Sequence, residues 1–172
     1  MTDPFSILGV EPRFDLDPEE LSRRHRELSK ALHPDRYASA PAAERRMALS
    51  RAIEVNEALR ILRDPVRRAE ALARSLGLQV GETVEPKASP ALLMEMMEAR
   101  EELATAGRKK DLGALGKLGE AMRRREAGVL GGLAEAFRAG VADRVLPLLG
   151  ELRYVRRFLD EVSALEEAAH ET

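Results

Sequence analysis

Leu32-His33-Pro34-Asp35-Arg36 decides how this chain is read. Upstream, Leu21, His25, Leu28 and Leu32 recur at helical spacing, and a second long helical pattern begins near Pro41. Proline lacks the backbone donor a helix needs and drives the preceding residue out of the helical region. The upstream helix therefore ends near His33, and the chain turns. A turn built only to reverse direction draws on Gly, Asn, Asp or Ser. Here a histidine and a carboxylate flank a rigid proline, which holds two polar heads on a stiff loop. Any three-residue string recurs by chance, so its meaning rests on the helices around it.

Working outward, Asp17-Pro18-Glu19-Glu20 starts the upstream helix with a cap, a first-turn proline and acids where the helix dipole favours them. Arg23, Arg26 and Lys30 lie opposite its apolar stripe, with Arg24 at the edge; His25 falls on the core side and reads as structural. Asp3-Pro4 opens a short helix that closes near Gly9 and turns Phe5, Leu8 and Val10 to the core. Downstream, a helix from about Pro41 to Leu62 is expected to bury Leu49, Ala52, Ile53, Asn56, Leu59 and Leu62. Asn56 would then bond backbone nearby rather than stay unpaired. Asp64-Pro65 starts a fourth helix carrying Ala69, Leu72 and Leu76 and ending at Gly77. The result is a four-helix unit over residues 1–78, whose central pair is antiparallel and joined by the His-Pro-Asp turn.

Residues 79–89 lack periodicity and contain Gly81 and Pro86, the pattern of a linker. Ser89-Pro90 restarts a helix to about Ala104, followed by helical segments over roughly 109–139 and 142–167. Short connections make them antiparallel neighbours, so residues 90–172 form a three-helix bundle. The middle helix carries Gly113, Gly116, Gly119, Gly128, Gly131 and Gly132. Each costs about 1 kcal/mol relative to alanine, so this helix leans on packing and has room for a break near Gly131. Pro147 either kinks the last helix or starts it.

Composition narrows the function. Of 172 residues, 44% are apolar but only 3% aromatic, so the core is aliphatic and the fold class all-α. Lys+Arg number 28 against Asp+Glu 30, a balance that argues against nucleic acid held over the whole surface. Cysteine is absent, which excludes disulfides, thiolate metal sites and cysteine nucleophiles; with three histidines, no multi-histidine metal site is expected either. Neither a catalytic residue nor a cofactor is expected. No long apolar run or leader-like start stands out, so a soluble, cytoplasmic protein without membrane contact is expected.

A four-helix unit with His-Pro-Asp between its second and third helices, a basic second helix and Asn56 on the third resembles the J-domain of co-chaperones. Arg63-Asp64-Pro65 with Arg68-Ala69-Glu70, the run Leu93 to Leu103 (LMEMMEAREEL) and Leu152-Arg153-Tyr154 are similar to the HscB family of iron–sulfur cluster co-chaperones. The resemblance implies stimulation of a DnaK/HscA-type chaperone ATPase and delivery to it of an IscU-like iron–sulfur scaffold protein. It points to His33, Pro34, Asp35 and Arg36 with Arg23, Arg24, Arg26 and Lys30 for the chaperone. Thr105, in place of an acid, and Pro147 depart from the family pattern. The rival readings are a J-domain protein for another client and a small helical nucleic-acid binder.

The helix after Ser89 gives an independent clue. Leu92, Met96, Ala99 and Leu103 share one face and suffice for a core. Leu93, Met94 and Met97 fall on a second face with Glu98 and Glu101, whereas a surface helix needs one apolar stripe. Methionines beside acids suit an adaptable contact surface. By resemblance Tyr154 joins this client patch, and Leu93, Met97 and Tyr154 are all expected to lie outside the core.

Overall fold

Acid–proline pairs write the start of three helices. The side chains of Asp3, Asp17 and Asp64 accept the first free backbone N–H groups, and the proline after each takes a position where no donor is needed. The computed structural model describes residues 3–81 and 88–170. Among them are α1 (Pro4–Leu8), α2 (Pro18–Ala31), α3 (Ala42–Arg63), α4 (Pro65–Ser75), α5 (Pro90–Lys109), α6 (Leu112–Ala139) and α7 (Ala142–His170). A 3-10 turn, Pro34–Tyr37, joins α2 to α3. The fold is all-α. The chain divides into two compact units, one ending at Gln79 and the other beginning at Val80. Within the expected linker, residues 82–87, Pro86 included, lie outside the described residues.

In the first unit α3 packs against α1, α2 and α4. Phe5, Leu8, Leu21, Leu62 and Ala69 are almost fully enclosed at its centre. The expected α3 stripe needs correction. Leu59 and Leu62 are buried, but Leu49, Ile53 and Asn56 are exposed, and Ala48, Val55 and Ala58 are buried instead. Apolar residues lie on two faces of this helix, and α1 and α2 select the one whose small alanines allow close approach. The Asn56 side chain bonds no backbone group among the described residues; its amide oxygen lies 2.8 Å from His25 Nε2 and links α3 to α2. Leu76 is exposed as well, since α4 ends at Ser75; Leu72 and Ala73 are the buried residues of that last turn. Arg68 completes the unit: it donates to the Leu62 carbonyl at 2.8 Å and its guanidinium lies 4.8 Å from the Phe14 ring centre. One side chain thus answers an orphan carbonyl at the α3 terminus and covers an aromatic face.

The second unit is a three-helix bundle with its most extensive interface between α6 and α7. Its core gathers Leu103, Leu115, Met122, Val155, Phe158 and Val162, and Met96 and Ala99 pack against it. α6 is continuous through Gly131. Gly119 accounts for part of the glycine content, because a Cβ there would meet Val162 Cγ1 at 3.3 Å; α6 and α7 approach closely at that point. α7 starts at Ala142 and contains Pro147, so the proline does not begin the helix. α5 extends to Lys109, past the expected end near Ala104. Tyr154 is the main correction: it is 9% exposed and belongs to the core. No described helix is long and apolar enough to cross a membrane.

Candidate functional site

His33 closes the turn that bears its own motif. Its backbone is extended, as proline demands of its predecessor, and its Nδ1 accepts the Asp35 N–H at 3.3 Å. That bond fixes the first residues of the Pro34–Tyr37 turn and throws the Asp35 carboxylate outward, 91% exposed and 3.5 Å from His33 Nδ1. No arginine or lysine among the described residues pairs with Asp35. A carboxylate held on a rigid turn and left open can accept both N–H groups of a partner guanidinium. Pro34 and Arg36 are exposed beside it.

The basic residues of α2 divide by environment. Arg23 is engaged within its own helix, 3.2 Å from Glu27 and 4.0 Å from Glu20. Arg24 is half-buried, and its Nε is enclosed without a hydrogen-bond partner among the described residues. Arg26 and Lys30 are exposed and pair with no carboxylate among the described residues. The structure therefore puts the exposed cations Arg26 and Lys30 on the second half of α2 and the exposed Asp35 carboxylate, with Arg36 beside it, on the turn that follows. Sequence reasoning missed a hollow of about 190 Å³ next to the turn, lined by Leu32, Tyr37, Glu44, Met47, Ala48 and Arg51. Met47 was a readable signal, an apolar residue outside the expected α3 stripe.

On α5, Leu93, Met94 and Met97 are 48%, 64% and 66% exposed, with Glu98 and Glu101 exposed on the same helix. These residues form one patch. Tyr154 lies beneath it rather than in it: its hydroxyl donates to the Met96 carbonyl at 3.0 Å, and the Arg100 guanidinium lies 5.9 Å from its ring centre. Burial pushes the Tyr154 hydroxyl above its usual pKa, against the lowering pull of Arg100, which keeps it a donor at neutral pH. Thr105 accepts a hydrogen bond from Arg108 at 3.1 Å. It also lines a groove between α5 and α6 of about 710 Å³, together with Glu101, Glu102, Lys109 and Lys117.

A short capped helix, an antiparallel pair bridged by His25 and Asn56, and an exposed His-Pro-Asp turn define the class: residues 3–71 match the DnaJ domain. Residues 88–163 match the HSCB C-terminal oligomerisation domain. The chain belongs to the HscB family, whose members are co-chaperones rather than enzymes. It is 32% identical over 172 residues to the HscB homologue of Haemophilus influenzae, with 99% of each chain covered. The homologue of Bordetella pertussis is 45% identical over 106 residues, and that match spans 62% of its length. Among solved structures, the chaperone HscB from Vibrio cholerae superposes with a TM-score of 0.85 at 29% identity, over 98% of this chain and 99% of that one. Human co-chaperone protein HscB gives 0.87 at 21% identity, over 95% and 82%, a likeness of fold alone.

Proposed function

We propose that this chain stimulates the ATPase of a DnaK/HscA-type chaperone and delivers an IscU-like iron–sulfur scaffold protein to it in the cytoplasm, assisting cluster assembly and transfer. One observation carries the reading: an open carboxylate on a capped turn and an uncovered apolar patch occur in different units of one chain. An adaptor needs that separation, since one surface must hold the chaperone while the other holds the client. Residues 1–78 act as the J-domain, 79–89 as the linker and 90–172 as the client-binding domain. His33, Pro34, Asp35 and Arg36 with Arg23, Arg24, Arg26 and Lys30 serve the chaperone. Leu93, Met94, Met97, Glu98 and Glu101 serve the client, with Tyr154 supporting them from below.

The test is steady-state ATP hydrolysis by a purified DnaK-type chaperone with this chain, the scaffold protein, or both. Stimulation by the chain, raised further when the scaffold is added, is the expected result. Stimulation that the scaffold leaves unchanged would assign the chain to another client.

Reversing Arg26 and Lys30 to glutamate is expected to weaken chaperone binding while client binding stays intact. Both are exposed and pair with no carboxylate among the described residues, so the change acts on encounter and orientation, and its effect shrinks as salt rises. Titrations at low and moderate salt check it. Equal affinity at low salt would make the stripe a solvated face and nothing more.

A further inference from the structure

The half of α5 that bears the patch has little core to hold it. Leu103 and Ala106, the buried residues of α5, both lie in its second half. In the first half Met96 and Ala99 only partly enter the core. Polar links from α6 and α7 act on that half as well. Arg125 of α6 donates through Nη1 to Glu95 Oε2 at 2.7 Å and through Nε to Glu151 Oε1 at 2.6 Å. One guanidinium therefore ties α5 to α7. The Tyr154 hydroxyl, also from α7, donates to the carbonyl of Met96 at 3.0 Å. A carbonyl has two acceptor sites, so this bond adds to the helical one rather than replacing it. Glu95 and Met96 are consecutive and lie between Leu93 and Met97 in the chain.

We propose that Arg125 and Tyr154 are positioning residues for client binding, clamping the Glu95–Met96 turn of α5 so that Leu93, Met94 and Met97 stand as a preformed docking face. The proposal rests on the reading of that face as the client surface. Its physical logic is that a helix offering its apolar side chains to a partner cannot also bury them for its own stability. Tethers to one carboxylate and one carbonyl fix its register and leave those side chains uncovered. An α5 end ordered in advance removes an ordering cost from association. An untied end opens more often.

The full-length chain is examined in two ways: amide hydrogen exchange over residues 92–100, and calorimetric affinity for the iron–sulfur scaffold protein. Arg125→Met is expected to speed exchange there and to lower affinity roughly fivefold, as changes away from a binding surface do. Arg125→Lys restores part of both. Adding Glu95→Gln to Arg125→Met costs no further affinity. Tyr154→Phe leaves Glu151 paired and removes only the hydroxyl, so it shows the same pattern, more weakly, without a confounding loss of fold. Leu93→Ala lowers affinity with exchange unchanged, which tests the surface reading separately. Unchanged exchange over 92–100 in Arg125→Met overturns the clamp whatever the client does. Normal client affinity in that variant, while Leu93→Ala binds poorly, overturns the positioning role and leaves the surface in place.

Discussion

Asp35→Asn is expected to abolish stimulation of the chaperone's ATP hydrolysis while the protein melts almost where the unaltered chain does. The substitution keeps the side chain's shape and removes its charge. Because that carboxylate is 91% exposed and supports no core, the stability change should stay within about 0.5 kcal/mol. Losing one partner of a charge pair that becomes buried on docking costs on the order of 2–5 kcal/mol, enough to empty the complex at ordinary concentrations. His33→Gln should give a similar loss by another route, since it replaces the ring nitrogen that accepts the Asp35 N–H and orients the turn. Single-turnover hydrolysis beside a thermal melt measures both. Full stimulation by the Asp35→Asn protein would end the assignment of this turn as the chaperone contact.

The second large effect is expected at the client surface. Leu93→Ala with Met97→Ala should cost several kcal/mol of scaffold affinity, about 2 kcal/mol for each side chain that is a true anchor. Stability should change little, because both side chains are already about half or more exposed. Tyr154→Ala makes the contrast: as a core residue it should lower the melting temperature markedly, since truncating a buried aromatic costs roughly 3–5 kcal/mol. Calorimetric affinity and melting temperature, measured on both variants, separate contact from support. A Leu93/Met97 variant that binds normally would place the client elsewhere on the second unit.

Much of this architecture is local and hence readable. Each Asp-Pro start satisfies its own helix's free N–H groups within three residues, whatever packs nearby. The His-Pro-Asp turn is equally local, with the proline and the histidine ring acting over two residues. The apolar surplus of α5 was also legible, because one helix carries two stripes and the bundle can take only one. α3 has two stripes as well, and there the same reasoning chose Leu49 and Ile53, which are exposed. Spacing shows that a helix has two apolar faces; it does not show which face its neighbours cover.

By itself, then, the sequence determined the helices, their order, the turn that presents Asp35 and the presence of a spare apolar face on α5. Tertiary structure alone decided the buried face of α3, the partnership of His25 with Asn56, the burial of Tyr154 and the meeting of Arg125 with Glu95 and Glu151. Those pairs join residues 26 to 58 positions apart. Helical periodicity relates a residue only to its near neighbours on one helix, so a contact between helices has no signature in either segment until packing brings the two together.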